Sequence, residues 1–291
     1  MKSEGGREMK VELAEVYGFC PGVRRAVEMV EEHLARHGPL ATLGAIVHNA
    51  QVVEELAKKG ARMAESLKEV QEGAVAITAH GAGPEVFQEI QRRGLTLVDT
   101  TCPIVRRAQE AASRLAEEGF FVVIYGEEAH PEVRGLLSWT KGKGKAALKP
   151  EELGELPDAR LALISQTTKS REEFWSFVSR VIGRFSGKLR EVRALDTTCP
   201  ETGRRYQAVL SLAKKVEALV VVGSRNSANT RKLAEVARGT GLPTFHIEGP
   251  EEIQPEQFSG FAAVGVTAGA STPDGLVAAV VHRLERLGGE G

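Results

Sequence analysis

The sequence predicts an α/β fold made of three similar small domains whose sheets are mostly parallel. Short β-branched apolar runs alternate with longer stretches of helical periodicity, which is typical of parallel sheets covered by helices. The length of 291 residues is sufficient for more than one domain. A Cys-Pro motif occurs three times, at Cys20, Cys102 and Cys199. Each copy follows a predicted strand and opens a predicted helix.

The elements follow from the apolar pattern in chain order. Ten strands are predicted at 11–16, 40–46, 74–78, 95–99, 121–125, 161–165, 189–195, 219–222, 244–247 and 262–266. Eight helices are predicted at 21–37, 51–59, 84–93, 103–118, 172–185, 203–215, 230–238 and 273–287. The basic, glycine-rich stretch from Lys141 to Lys145, followed by Lys149-Pro150, predicts an exposed hairpin or flexible connection.

The repeated motif predicts the domain boundaries. Cys20 and Cys102 are 82 positions apart, and Cys102 and Cys199 are 97 apart, which is the size of one small α/β unit. The predicted domains are 9–100, 101–196 and 197–287, each donating one cysteine. Ligands of open parallel sheets bind beyond the carboxyl ends of the strands. If three such ends face one another, the three thiols converge on a central cavity.

Composition excludes several classes of protein. Apolar residues make up 42% of the chain and charged residues 26%, values typical of a globular protein and not of a disordered one. The net charge of −1 and the aromatic content of 5% argue against nucleic acid as a partner. No apolar run is long enough to span a membrane, and no signal peptide precedes the first strand. We therefore expect a cytoplasmic protein.

Three cysteines in a reducing compartment argue against a disulfide framework. Proline occupies the first helical position well, so each sulfur lies at a helix N-terminus, which favours thiolates and bound anions. Three thiolates can hold zinc with an open position, or an iron–sulfur cluster with one iron free of protein thiolate. No cysteine has another cysteine or histidine within five residues. A cluster is therefore the stronger interpretation, and zinc remains an alternative.

Polar residues gather in six loops between predicted strands and helices. Such loops offer backbone N–H groups to an anion, so together they predict a pocket for a phosphorylated ligand. The loops contain Gly44–Asn49 with His48, Thr78–Gly81 with His80, Gly126–Glu132 with His130, Ser165–Thr168 with Thr167, Gly223–Asn229 with Ser227, and Thr267–Thr272 with Ser271. No Walker A or G-x-G-x-x-G motif occurs, which disfavours a P-loop NTPase or a Rossmann dehydrogenase.

Glu132 follows His130-Pro131 at a predicted helix start. Its carboxylate could simply complement the helix dipole. In a dry pocket the same carboxyl could hold a proton and deliver it to a substrate. From the residues alone both interpretations stay open.

Many of these motifs match one family in the same order. The chain resembles the LytB/IspH family of 4-hydroxy-3-methylbut-2-enyl diphosphate reductases from about Val11 to Leu287. The matching stretches are Gly18–Ala26, Val47–Asn49, Ala79–Gly81, Asp99–Pro103, His130–Val133, Gln166–Thr168, Asp196–Cys199, Val222–Ser227 and Val266–Ser271.

The resemblance implies three α/β domains in pseudo-threefold arrangement around one 4Fe-4S cluster, which can appear as 3Fe-4S or be lost after oxidation. Cys20, Cys102 and Cys199 would bind three irons, and the fourth would take the substrate hydroxyl. Glu132 matches the proton-delivery residue. The positions that match the family's substrate-binding residues are His48, His80, His130, Thr167, Ser227, Ala228, Asn229 and Ser271.

The implied reaction is a two-electron reductive dehydroxylation that gives isopentenyl and dimethylallyl diphosphates, the last step of the non-mevalonate pathway. Ferredoxin or flavodoxin would donate the electrons. Three positions depart from the family pattern: Glu201, Tyr206, and Ala228 in place of a serine. Two alternatives remain, a zinc-dependent hydrolase or lyase of a phosphorylated metabolite and a non-enzymatic iron–sulfur sensor.

Overall fold

A computed structural model describes residues 9–47, 49–157 and 159–289. The strands in this part of the chain are β1 (Lys10–Leu13), β2 (Leu40–Leu43), β3 (Ala61–Ala64), β4 (Ala74–Ile77), β5 (Thr96–Asp99), β6 (Phe121–Tyr125), β7 (Gly144–Ala147), β8 (Ala159–Ser165), β9 (Leu189–Ala194), β10 (Ala218–Val222), β11 (Thr244–Ile247) and β12 (Ala263–Ala268).

The helices alternate with the strands. They are α1 (Pro21–His37), α2 (Ala50–Lys58), α3 (Pro84–Arg92), α4 (Pro103–Glu117), α5 (Pro131–Trp139), α6 (Arg171–Phe185), α7 (Pro200–Leu212), α8 (Ala228–Arg238) and α9 (Asp274–Gly289). Within the described residues, none of these helices combines the length and apolarity needed to cross a membrane.

The strands form three four-stranded sheets in which all pairings are parallel. Their orders are β3-β2-β4-β5, β7-β6-β8-β9 and β11-β10-β12-β1. In each sheet two inner strands lie side by side, and the strand that comes between them in the chain lies at one edge. The other edge strand comes last in the chain in two sheets (β5 and β9) and first in the third (β1). This confirms the predicted α/β fold with parallel sheets.

The chain divides into two compact units. The one-sheet unit comprises the described residues of Met1–Arg24, Val47–Glu54 and Glu201–Gly291 and contains the sheet of β1, β12, β10 and β11. The two-sheet unit comprises those of Arg25–Ile46 and Glu55–Pro200 and contains the other two sheets.

Central strands are apolar on both faces because helices cover both sides of each sheet. In β10, Val220 and Val222 belong to one core cluster, whereas Leu219 and Val221 belong to another on the opposite face. All four side chains are fully buried. A continuous apolar run is the sequence pattern that such a strand requires, which is why these strands are visible in the sequence.

Each predicted strand and helix overlaps an observed one, and the described residues contain three further strands or α-helices. The strands β3 and β7 lie at sheet edges and consist of Ala-Arg-Met-Ala and Gly-Lys-Ala-Ala, which lack the β-branched residues that mark a strand. The third element is α5, which begins at Pro131 in the loop where a helix start was expected.

The interpretation of the basic segment as a hairpin or flexible connection is wrong. Lys141 and Gly142 form a turn with positive φ, and Gly144 then opens β7, which pairs in parallel with β6. Pro150 starts a single 3-10 turn. Glycine permits the turn that precedes the strand. The lysine side chains can reach water because β7 lies at the edge of its sheet.

The predicted boundaries put β1 into the first domain, but it pairs with β12. A strand from the N-terminal end of the chain therefore occupies the fourth position of the third sheet. Local sequence carries no information on this pairing because the partners are about 250 positions apart, as for Val11 and Val264.

Candidate active site

Each of the three cysteines lies between an edge strand and a helix. Cys20 follows β1, Cys102 follows β5 and Cys199 follows β9, and the next residue in every case is the proline that opens the helix. All three are half-buried. The positive end of a helix dipole favours a negative group at this position, so the fold provides three similar sites for a thiolate.

One hydrogen bond recurs at all three cysteines. The backbone N–H of the cysteine donates to a carbonyl in the loop after the neighbouring inner strand. The bonds join Cys20 N to Ala270 O at 3.1 Å, Cys102 N to Ala79 O at 3.1 Å and Cys199 N to Thr167 O at 2.7 Å. This bond holds each cysteine at the carboxyl edge of its sheet, the edge at which parallel α/β proteins bind ligands.

An aspartate shapes the turn before two of the cysteines. Asp99 Oδ1 accepts hydrogen bonds from the backbone N and Oγ1 of Thr101, at 3.1 and 2.6 Å. The same turn precedes Cys199, where Asp196 Oδ1 accepts from Thr198 N at 3.0 Å and from Thr198 Oγ1 at 2.5 Å. Such side-chain bonds set the direction of the backbone locally, so the repeated turn gives the two cysteines the same approach.

Glu132 lies in the first turn of α5 and is 1% exposed. Its Oε1 accepts a hydrogen bond from Thr167 N at 2.6 Å, and its Oε2 lies 3.0 Å from Thr167 Oγ1. Burial raises the pKa of the Glu132 carboxyl to about 7, although the two bonds from Thr167 and the charge of Lys169 lower it. A carboxyl with this pKa holds a proton in a large fraction of molecules at neutral pH.

Thr167 connects Glu132 to a cysteine. Its N–H and hydroxyl contact the Glu132 carboxyl, and its carbonyl accepts the N–H of Cys199. The hydroxyl can pass a proton because it is both donor and acceptor. One buried residue therefore positions a proton-bearing acid and a thiol.

Two histidines lie beside this acid. His130 caps α5, with its Nδ1 accepting a hydrogen bond from Glu132 N at 3.2 Å. The rings of His80 and His130 meet edge to face, with centroids 5.5 Å apart. His80 Nδ1 also lies 3.4 Å from Thr78 Oγ1. Both imidazoles are half-buried. An imidazole ring can donate an N–H group to an anion.

The one-sheet unit has its own polar loops after β10 and β12. Ser227 is buried and caps α8, with its Oγ accepting from Thr230 N at 3.4 Å. Asn229 is half-buried and Ala228 exposed in the first turn of α8. Ser271, also buried, follows β12, next to the Ala270 carbonyl that accepts the Cys20 N–H. The start of an eleven-residue helix beside hydroxyl groups is suited to binding phosphate.

These loops share one topological position. In each sheet the chain leaves one inner strand toward one edge and later returns to form the second inner strand on the opposite side of the first. The carboxyl ends of the two inner strands therefore border a crevice. The loops after β6 and β8 provide Glu132 and Thr167, and those after β10 and β12 provide Ser227 and Ser271. The loop with His80 follows β4, at the equivalent position of the first sheet.

Comparison with known proteins identifies the family. The profile of the family described as LytB protein matches residues 11–285. The chain belongs to the LytB family.

Relatives in this family resemble the chain over nearly their whole length. A protein of Dehalococcoides mccartyi (strain CBDB1), named 4-hydroxy-3-methylbut-2-enyl diphosphate reductase, is 43% identical over 96% of this chain and 99% of its own. A protein of Aquifex aeolicus (strain VF5) with the same name is 39% identical over 94% of this chain and 96% of its own.

Two solved structures share the fold. One is described as (E)-4-hydroxy-3-methyl-but-2-enyl diphosphate reductase, the terminal enzyme of the non-mevalonate pathway, with a TM-score of 0.77 and 38% identity over 96% of this chain and 99% of that chain. The other is the E-1-hydroxy-2-methyl-but-2-enyl-4-diphosphate reductase from Plasmodium falciparum, with a TM-score of 0.84 and 25% identity over 94% of this chain and 87% of that chain.

Most residues that the sequence marks as LytB site residues lie in these contact networks. In the two-sheet unit the contacts involve Cys102, Cys199, His80, His130, Glu132 and Thr167, and in the one-sheet unit the loops contain Cys20, Ser227, Ala228, Asn229 and Ser271. His48 lies outside the described residues. Among the described residues, no three His, Cys, Asp or Glu side chains form a group that could hold a single metal ion. The roles of these residues stay predictions.

Sequence reasoning missed the residues that orient the predicted ones. Asp99 and Asp196 shape the turns before Cys102 and Cys199, and the duplicated Asp-Thr-Thr-Cys motif could have identified them. The contact of Glu132 with Thr167 joins positions 35 apart and has no local sequence pattern.

We expect Glu132 to make stability depend on pH. Below pH 4.5 the carboxyl is neutral in both folded and unfolded chains. Between 4.5 and about 7 the unfolded chain loses its proton first, so the free energy of unfolding falls as pH rises. Glu132→Gln removes the cost of ionising a buried carboxyl, and its amide can keep both contacts to Thr167. The difference in the free energy of unfolding between the variant and wild type should therefore rise by about 3 kcal/mol from pH 4 to pH 8.

Urea unfolding at the two pH values measures this gain. Glu128→Gln, which changes an exposed carboxylate in the same loop, is the matched control and should show no comparable gain. An equal stability difference between Glu132→Gln and wild type at both pH values would contradict the buried, proton-bearing state.

Proposed function

We propose that this protein is an iron–sulfur reductase that converts 4-hydroxy-3-methylbut-2-enyl diphosphate to isopentenyl and dimethylallyl diphosphates. In this reaction the carbon–oxygen bond of the allylic alcohol breaks and a carbon–hydrogen bond forms. Two electrons and two protons enter, and one water leaves. Membership of the LytB family and the names of the relatives support this activity. The observation that carries it is the link through Thr167 between a buried acid and a cysteine.

The cysteines fit the cluster that the reaction requires. We assign Cys20, Cys102 and Cys199 as three ligands of a single 4Fe-4S cluster. They are half-buried residues in three copies of one local arrangement, and thiolates are the ligands that iron–sulfur clusters take. When bound, such a cluster supplies single electrons and a Lewis-acidic iron.

Glu132 is the proton donor in this proposal. Because Oε1 accepts the N–H of Thr167, the proton of the neutral carboxyl belongs on Oε2. That oxygen faces Thr167 Oγ1 at 3.0 Å, so the hydroxyl can take this proton and release its own toward the substrate. Protonation turns the leaving hydroxyl into water, which is a far better leaving group than hydroxide.

The substrate diphosphate would bind to neutral donors. His80 and His130 contribute ring N–H groups from the two-sheet unit, and Ser227, Asn229 and Ser271 contribute hydroxyl and amide groups from the one-sheet unit. We also assign His48 and the backbone N–H of Ala228 to this role. Neutral donors bind an anion without adding fixed cations next to an anionic cluster.

A small one-electron carrier, ferredoxin or flavodoxin, would supply the electrons, since the reaction needs two and a cluster transfers them singly. We expect the protein to act in the cytoplasm, where reducing conditions keep cysteine thiols from oxidation. Neither nucleic acid nor a membrane takes part in the proposed reaction.

Turnover tests the function directly. Anaerobically purified protein with a reduced dye should oxidise the dye only when the hydroxylated diphosphate is added, and the two isoprenoid diphosphates should appear. Glu132→Gln should slow turnover about 10²- to 10⁴-fold, the usual contribution of a general acid, and Glu128→Gln should not. Cluster binding without turnover would indicate a sensor, and unchanged turnover in Glu132→Gln would remove this residue from proton delivery.

Replacement of each cysteine by serine tests the ligand assignment. Each variant should lose or destabilise the cluster, because serine replaces a thiolate ligand by a poor one. Iron, acid-labile sulfide and zinc are measured on anaerobically purified wild type and variants. A variant with full iron and activity would exclude that cysteine, and stoichiometric zinc without sulfide in the wild type would indicate a zinc enzyme.

A further inference from the structure

The loop that carries His80 is held by side chains of two helices, and both bind the same backbone oxygen. The carbonyl oxygen of Ala82 accepts a hydrogen bond from Trp139 Nε1 at 3.0 Å and a second from Gln109 Nε2 at 3.3 Å. Trp139 is the last residue of α5, and Gln109 lies in α4. Both acceptor sites of this carbonyl are therefore used by side chains from different helices.

These two helices are the ones that begin at the predicted site. The residue before α4 is Cys102, and the first turn of α5 contains Glu132. The Ala82 contact therefore fixes the loop of His80 relative to a predicted cluster ligand and to the predicted acid. The three segments meet within the two-sheet unit.

The loop fits closely against both helices. Gly81 has a φ of +72°, and a Cβ at this position would overlap the amide of Gln109. A Cβ at Gly83 would likewise overlap the hydroxyl of Ser138 in α5. A Cβ at either position would therefore have to displace a neighbouring side chain, so the loop packs closely against α4 and α5.

Gln109 makes this contact at a cost to stability. The residue is 1% exposed, and its Oε1 is buried without a hydrogen-bond partner in the part of the chain that the structure describes. A buried acceptor that lacks a partner destabilises the fold, and an apolar side chain of the same size would avoid the penalty. A glutamine, unlike an apolar side chain, can donate the hydrogen bond to the Ala82 carbonyl.

We propose that Trp139 and Gln109 are positioning residues that hold His80 against His130 for recognition of the substrate diphosphate. The rings of the two histidines are 5.5 Å apart at 84°, and the Ala82 carbonyl lies two residues after His80. The inference rests on the proposed function, because it takes His80 as a ligand of the diphosphate. The proposal gives Trp139 and Gln109 no direct contact with substrate or cluster.

The two tryptophans of the chain allow a test without turnover. Trp175 is 39% exposed and lies in α6, so Trp175→Phe leaves Trp139 as the sole indole and should keep full activity. Titration of the cluster-loaded Trp175→Phe protein with inorganic pyrophosphate should shift the emission of Trp139 in a saturable way, with the same Kd as calorimetry. Pyrophosphate binding by calorimetry with no change in emission would overturn the proposal.

Kinetics of the holoenzyme provide the second test. Trp139→Phe keeps a ring but removes the donor, and Gln109→Met keeps the length but removes the amide. Each should raise KM for the diphosphate substrate about fivefold, the factor expected for one neutral hydrogen bond. The value of kcat and the visible spectrum of the cluster should stay close to wild type, because diphosphate contacts act equally on ground and transition states.

The double variant separates positioning from general destabilisation. In each single variant the remaining donor still satisfies Ala82, so the double variant should raise KM by more than the product of the two single effects. Lower thermal stability with unchanged KM in all three variants would mean a purely structural contact. If Trp139→Phe does not fold, the emission titration and Gln109→Met still decide the question.

The proposed function and this inference fail in different ways. A protein that does not reduce the hydroxylated diphosphate, but whose Trp139 emission responds to pyrophosphate, contradicts the reductase and keeps the positioning role. A protein that turns over normally, but whose Trp139 is insensitive to pyrophosphate, contradicts the positioning role alone.

Discussion

The hydrogen bond from each cysteine N–H to the loop after the neighbouring strand is the constraint on which the rest of the site depends. It ties an edge strand, a thiol and a helix start to the carboxyl edge of the sheet, and it recurs at Cys20, Cys102 and Cys199. Because each cysteine follows an edge strand that lies beside an inner strand, the same bond produces the same placement three times. One local arrangement therefore places three cysteines from distant parts of the chain in equivalent positions.

The proposed proton delivery depends on a second constraint, the burial of Glu132. A carboxyl that is 1% exposed has lost most of its hydration, which raises its pKa to about 7. Thr167 limits this rise with two hydrogen bonds and simultaneously holds Cys199. The same residue thus keeps the acid available near neutral pH and keeps it in a fixed relation to a thiol.

The sequence is sufficient to predict the features that are local. Apolar runs mark the central strands because these are buried on both faces, and Cys-Pro marks the helix starts. Edge strands β3 and β7 escape prediction because alanine, glycine and lysine carry little strand preference. The pairing of β1 with β12 and the contacts of Ala82 with Gln109 and Trp139 join residues far apart in the chain. Periodicity cannot show such contacts.

The central claim is that three cysteine thiolates hold four irons, one of which is left for the substrate. Mössbauer spectroscopy of protein loaded anaerobically with ⁵⁷Fe measures this most directly. The account predicts four irons per chain, with the signal of one iron changing when the hydroxylated diphosphate is added and the other three nearly unchanged. A spectrum with all irons equivalent and indifferent to the diphosphate would contradict it.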